Sequence, residues 1–237
     1  MAERKKRRIS SSMHPIISNL ICLLNEMTPP HYSQYIESFG ITERSTREAG
    51  RYDLIEFISE VLELFKDLIE NNAFPRYVIF NFTKFFFLEM FICKKKLIKF
   101  QPREWNTMIM LLNSVVMKAL CQFANTIRDY FCHDSEFEIN LWTKFFQCAI
   151  SFIKQPSMQL GKFSENKRLK ILNTYGDMRK NMGIEVKQMW YNLGKHKISF
   201  IPHMVGDFLK MALIPEQELQ KHIIPIFFDM IQCEFYR

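Results

Sequence analysis

The sequence predicts an all-α protein, an irregular array of antiparallel helices. Three observations carry this prediction. The chain of 237 residues is 48% hydrophobic and holds 23 Phe against 7 Gly, a balance that suits packed helices better than a turn-rich β protein. Apolar residues recur at three- and four-residue spacing over most of its length, the signature of amphipathic helices. The links between these periodic stretches are short, which makes consecutive helices antiparallel neighbours. No fixed-length repeat is present in the letters, so an irregular solenoid is expected rather than a consensus one.

Residues 1–12 form a basic tail, expected to be disordered, and residues 13–76 hold the N-terminal helices. Pro15 suits the first turn of a helix running to about residue 27, with Ile16, Leu20, Leu23, Leu24 and Met27 on one face. Pro29 and Pro30 are expected to end it, and "HYSQYIESF" (31–39) to form a short second helix. "GITERSTREAGR" (40–51) has the composition of a polar loop. A strong amphipathic helix over 53–71 then places Leu54, Ile58, Val61, Phe65 and Leu68 on one face, with Ile55, Leu62 and Ile69 beside them.

After an atypical Phe/Lys-rich segment at 77–103, a C-terminal helical array fills 104–237. Helices are expected over 104–131 and 137–153. Ser164 is placed to N-cap a helix over 165–174, and Asp177 to cap the next. That next helix aligns Met178, Met182, Val186, Met189 and Leu193, with Trp190 alongside. Gly183 costs it about 1 kcal/mol relative to Ala, so a close neighbour is expected there, and Gly194 is a stop signal. Pro202 is expected to start the following helix, burying Ile201, Val205, Phe208 and Ala212. Pro225 costs about 3 kcal/mol inside a helix, so the last element should kink or restart near Ile223.

The net charge of +7 is unevenly placed. Residues 3–8, "ERKKRR", carry +4, and Lys84, Lys94, Lys95, Lys96 and Lys99 against Glu89 give 77–101 another +4, which leaves −1 elsewhere. A nucleic-acid-binding domain spreads its basic residues over a folded face, so no nucleic-acid partner is expected. The six cysteines (Cys22, Cys93, Cys121, Cys132, Cys148, Cys233) are scattered without CxxC spacing and follow no secretory signal, as expected of reduced cytosolic thiols.

The helix at 53–71 has an acidic face: Asp53, Glu56, Glu60, Glu63, Asp67 and Glu70. Like charges at i, i+4 cost a few tenths of a kcal/mol per pair, so this stripe is either a solvated surface or a docking face for a basic segment. "KQMWYNLGKHKISFIPHMVG" (187–206) concentrates Trp190, Tyr191, His196 and His203. His196 falls in a connection and His203 on a polar helix side near Asp207 and Lys210. With no third ligand or nucleophile at a useful spacing, this is a structural helix–loop–helix corner. Catalytic motifs such as HExxH, GxSxG, GxGxxG and GxxxxGK[ST] are absent, and Cys132-His133 lacks further zinc ligands. Glu216 and Glu218 read as first-turn helix acids. No catalytic, cofactor-binding or metal residue is assigned, and neither cofactor nor small-molecule substrate is expected.

"YGDMRKNMGIEVKQMWYNLGKHKISFIPHMVGDFLKMALIPEQELQKHIIPIFFDMIQCEF" (175–235) resembles the helical region that precedes the exchange domain in the dedicator-of-cytokinesis (DOCK) exchange factors. "HYSQYI" (31–36), "LFKDLI" (64–69), "FEINLW" (137–142) and "QPSMQL" (155–160) follow in the family's order. The resemblance covers roughly 20–39, 52–76 and 104–235. "MWYNLG" and "IPIFFDMIQCEF" are similar to the subgroup that pairs with ELMO-type adaptors, whereas "QPSMQL" is more similar to the second subgroup; both act mainly on Rac-type GTPases. The resemblance implies an armadillo- or HEAT-like array inside a larger protein with an SH3 domain, a lipid-binding domain and a C-terminal exchange domain. It also implies a cytoplasmic parent recruited to the plasma membrane. The residues that displace nucleotide and magnesium in the family have no counterpart here, so none is carried over.

The sequence departs from the family at 77–103. Pro-Arg stands at both borders, 75–76 and 102–103, and removal of 77–103 restores a continuous Phe-Pro-Arg-Glu-Trp. A retained intron, a genuine insertion and a membrane anchor are the three explanations. Lys84 and Glu89 weigh against the anchor, each costing about 2.5–3.5 kcal/mol at the centre of a span. Two functions follow. One is a non-catalytic scaffold segment of a Rac exchange factor. The other is a free-standing adaptor or membrane-surface protein that uses its basic tail and the Phe/Lys segment, with about 1 kcal/mol per basic residue at an anionic surface.

Overall fold

The computed structural model describes residues 14–41, 45–70, 105–133 and 137–236; the basic tail and the segment at 77–103 lie outside them. The described residues form α-helices, with no strand among them. In chain order these are α1 (His14–Glu26), α2 (Pro29–Glu37), α3 (Arg47–Glu70), α4 (Trp105–Phe131), α5 (Ile139–Lys154), α6 (Glu165–Tyr175), α7 (Met178–Asn192), α8 (Lys197–Ala212) and α9 (Gln217–Phe235). Single 3₁₀ turns lie at Pro156–Met158, Leu160–Lys162 and Gly194–His196. Helices pack on near neighbours in sequence: α1 and α2 on α4, α3 on α5, α4 on α5 and α7, α5 on α7 and α8, and α9 on both α7 and α8. The all-α array anticipated from the sequence is the fold observed.

α1 buries Leu24 as expected, but otherwise a different row from the one expected. Ile17, Ile21 and Leu24 are buried, while Ile16 and Leu23 are 60% and 59% exposed. Both rows have helical spacing, and contact with α4 selects the first. Pro29 and Pro30 begin α2 as much as they end α1. At the first helical positions an N–H has no intrahelical partner, so proline loses nothing there.

α3 starts at Arg47, inside the stretch expected to be a loop. The buried Gly50 lets the Phe39 carbonyl approach this helix closely. A β-carbon on it would lie 1.7 Å from the carbonyl oxygen of Phe39, a backbone atom that cannot swing aside. Gly50→Ala should therefore destabilise the protein by about 2–3 kcal/mol. Urea unfolding checks this, and a change under about 0.5 kcal/mol would contradict the close approach. Beyond it, Leu54, Ile58, Val61, Leu62, Phe65, Leu68 and Ile69 are all buried, the face expected from their spacing.

Ser164 occupies the N-cap of α6 with extended backbone, but its side chain makes no capping bond. Asp177 does cap α7, accepting from the Lys180 N–H at 3.0 Å. Met178, Met182, Val186, Met189, Trp190 and Leu193 are buried as expected. Gly183 has the anticipated close neighbour: a β-carbon there would meet Leu219 of α9 at 2.8 Å.

The start expected at Pro202 and the restart expected near Ile223 are corrected. α8 begins at Lys197 and carries Pro202 inside it, because the 3₁₀ turn at Gly194–His196 leads straight into helical backbone at Lys197. Its buried row is Phe200, Ile201, Met204, Phe208 and Met211. Val205 is 37% exposed and Ala212 is half-buried. α9 runs as one helix through Pro225 without a restart at Ile223. In each case the lost bond is one of many in a helix held by its packed face, and burial outweighs it.

Candidate functional site

The corner at 187–206 is assembled from three helices. Trp190, on α7, is fully buried, and its indole N–H donates to Asp229 Oδ2 of α9 at 2.7 Å. Lys197, the first residue of α8, pairs with the same oxygen at 2.9 Å. Its Nζ also lies 4.8 Å from the centre of the Tyr191 ring, within cation–π range. One carboxylate thus ties α7, α8 and α9 together. His196 stacks flat on Phe137, with ring centres 3.8 Å apart and planes 5° off parallel. His203 is exposed, and Asp207 bridges Lys154 and Lys210 at 3.5 and 3.4 Å. Trp190, His196 and Lys197 of the corner are thereby given structural tasks, while His203 is exposed. Asp229 escaped the sequence analysis because it lies 39 residues from Trp190, a separation no spacing rule reads.

A second polar centre joins the "QPSMQL" turn to α7 and α9. Arg179 is only 3% exposed. Its guanidinium donates to Gln159 Oε1 at 2.9 Å and to Glu216 Oε2 at 2.8 Å. Burial pulls the pKa of Arg179 below its ordinary value, against the opposing pull of Glu216 and Asp177. The buried Asn113 of α4 donates to Ser157 Oγ at 3.4 Å, and Ser157 donates to Gln155 Oε1 at 2.7 Å. Glu216 is thus a buried arginine's counter-ion rather than only a helix-terminus acid. Glu218 does sit in the first turn of α9. Hydrogen bonds from Lys221 and Lys180 depress its pKa to about 2.

The acidic face of α3 divides in two. Glu63 pairs with Lys144 of α5 at 2.7 Å, and Glu70 accepts from Ser151 Oγ at 2.8 Å. Lys66, between them, donates to Gln147 at 2.9 Å. The C-terminal half of the stripe therefore meets α5 of its own chain, while Asp53, Glu56 and Glu60 stay exposed. Arg51 reaches Glu138 at 3.1 Å and lies over the Phe131 ring.

Nucleophile chemistry is disfavoured at the half-buried Cys121 and the buried Cys148. Burial pushes the Cys121 thiol up to about 11 and the fully buried Cys148 higher still, so little thiolate is available. Among the described residues no group of three or more His, Cys, Asp or Glu is gathered for a metal ion. No described helix is long and apolar enough to cross a membrane.

An array of helices whose polar contacts serve its own packing has counterparts among known proteins. The family model of the dedicator of cytokinesis (DOCK) TPR region matches residues 81–237. The chain belongs to this DOCK family. Human dedicator of cytokinesis protein 4 is 32% identical over 218 residues, and the mouse dedicator of cytokinesis protein 3 is 36% identical over 218. Each alignment covers 92% of this chain and 9% of the relative, so the chain spans about a tenth of the DOCK proteins it matches. The matched region opens at residue 81, inside the Phe/Lys-rich segment.

Proposed function

We propose that this chain is a non-catalytic helical scaffold segment of a DOCK-family guanine nucleotide exchange factor acting on Rac-type GTPases. The observation that carries the proposal is the match to the DOCK TPR region over an array in which the buried Arg179 and Trp190 hold helices together through Glu216 and Asp229. Its role in the parent is positional, setting the exchange domain relative to the N-terminal domains and an ELMO-type adaptor in the cytoplasm and at the plasma membrane. Exchange itself needs a surface that grips the GTPase switches and intrudes on the phosphate and magnesium site.

The isolated chain should leave GDP release from Rac at its intrinsic rate, even in micromolar excess. A fluorescent-GDP release assay tests this. A tenfold acceleration, about 1.4 kcal/mol of barrier, would overturn the proposal.

The segment at 77–103 is proposed to be a retained intron. The motivation is the Pro-Arg pair at both borders together with the foreign composition between them. Long-read transcripts should join the codon for Arg76, or one beside it, to that for Glu104. Transcripts that mostly retain 77–103 would refute this.

A further inference from the structure

α1 carries two apolar rows. Ile17, Ile21 and Leu24 are buried, on a helix that packs against α4. About a quarter of a turn away, Ile16 and Leu23 are 60% and 59% exposed, with the half-buried Leu20 between them. Charge is placed unevenly around this outer row. α1 contains no lysine, arginine or aspartate. Its one carboxylate, Glu26, stands at the C-terminal end, where the Asn25 amide donates to it at 2.9 Å. Upstream of the row, residues 3–8, "ERKKRR", carry +4. Arg8 stands eight positions before Ile16, a reach of at most about 28 Å, so the basic run and the N-terminal end of the row can meet one surface.

We propose that the outer row of α1 and the basic run at 3–8 together form a contact for an anionic bilayer surface. Ile16 and Leu23 enter the boundary between headgroups and acyl chains, while Arg4, Lys5, Lys6, Arg7 and Arg8 are drawn to the lipid charge. At 13 residues α1 is too short to span a bilayer and lies along its surface. Charge complementarity selects this occupant. Another protein helix would cover the apolar row and leave the basic run without a counterpart. A nucleic acid or an acidic peptide would engage the basic run and leave Ile16 and Leu23 in water. A bilayer rich in anionic lipid engages both, and attachment through two weak signals is far firmer than through either one. Glu26, the residue that such a surface repels, lies at the end of α1 farthest from the basic run. The contact uses this chain's own residues and does not rest on the exchange function proposed above.

The test is co-sedimentation of the 237-residue chain with vesicles of equal parts phosphatidylserine and phosphatidylcholine, and with vesicles of phosphatidylcholine alone. The chain should bind the anionic vesicles at least tenfold more tightly. Salt at about 1 M, which cuts the screening length to about 3 Å, should weaken that binding tenfold or more. Lys5→Gln/Lys6→Gln/Arg7→Gln/Arg8→Gln should weaken it at least tenfold. Ile16→Ser/Leu23→Ser should do the same with Tm unchanged, because both side chains are exposed, whereas Phe228→Ser, at another exposed apolar residue, should have no effect. Leu23→Trp provides a reading that does not depend on losing a contact: it should bind at least as tightly as the parent, and its added emission should be quenched by brominated acyl chains. Equal binding to both kinds of vesicle, or full binding by Ile16→Ser/Leu23→Ser, would overturn the proposal. An unquenched Leu23→Trp would do so too. A dimer seen by light scattering that Ile16→Ser/Leu23→Ser dissolves would make a second copy the occupant and equally overturn it.

Discussion

Trp190→Ala is expected to cost about 3–5 kcal/mol of stability, a large share of the roughly 5–15 kcal/mol available to a domain. Trp190 is fully buried, with its ring centre 5.6 Å from that of Phe208 and 6.5 Å from that of Phe146. Phe146 in turn meets Phe200 and Phe208. Truncation opens a cavity where α5, α7 and α8 meet, and it takes from Asp229 the indole donor, leaving Lys197 and the weak Cys233 thiol. Trp190→Phe separates these effects. It keeps most of the apolar volume but loses the N–H, so its cost beyond the lost ring volume should be about 1–2 kcal/mol. Urea denaturation of both variants measures the split. A Trp190→Ala cost below about 1.5 kcal/mol would show that the aromatic cluster is not the keystone of this half.

Glu216→Leu is expected to cost about 3–5 kcal/mol, because it takes from the buried Arg179 the carboxylate it is hydrogen-bonded to and leaves only the weaker pull of Asp177. Gln159 is a neutral partner and cannot replace the lost carboxylate. The double variant Arg179→Met/Glu216→Leu should recover most of this loss and lie within about 1 kcal/mol of the parent, since an apolar pair of similar volume often matches a buried ion pair. Denaturation of the single and double variants completes the comparison. A double variant as unstable as Glu216→Leu alone would mean that Arg179 contributes by shape and hydrogen bonding to Gln159 rather than by charge. The neighbouring contacts among Lys180, Glu218 and Lys221 are exposed, so salt screens them and they contribute little.

Where a helix has a single apolar row, its letters predict its buried face. α7 is the clearest case: Met178, Met182, Val186 and Met189 all point inward. α3 behaves likewise over Leu54 to Ile69, and Asp177 caps α7 as its position suggests. The close neighbour at Gly183 was legible too, because glycine within a helix is costly unless something needs the space. The candidate site was less legible. Its polar contacts join Arg179 to Glu216, Trp190 to Asp229 and Glu63 to Lys144, pairs far apart in the chain that no local spacing rule connects. The stripe on α3 read as one continuous acidic face, yet α5 supplies a lysine to part of it.

By itself, then, the sequence determined that this protein is an all-α array of the DOCK kind, because helical periodicity and family motifs are local properties of the letters. Tertiary structure alone decided which of two apolar rows is buried. α1 offers Ile16 and Leu23 or Ile17 and Ile21, and α9 offers two rows of the same spacing. The same packing carried α8 and α9 through Pro202 and Pro225 without the helix start expected at the first or a restart at the second. The physical reason is common to all of these. Burial free energy scales with apolar area whichever face supplies it, so rows of similar area are nearly equivalent until a neighbouring helix covers one. A covered face also returns more free energy than one missing backbone hydrogen bond removes.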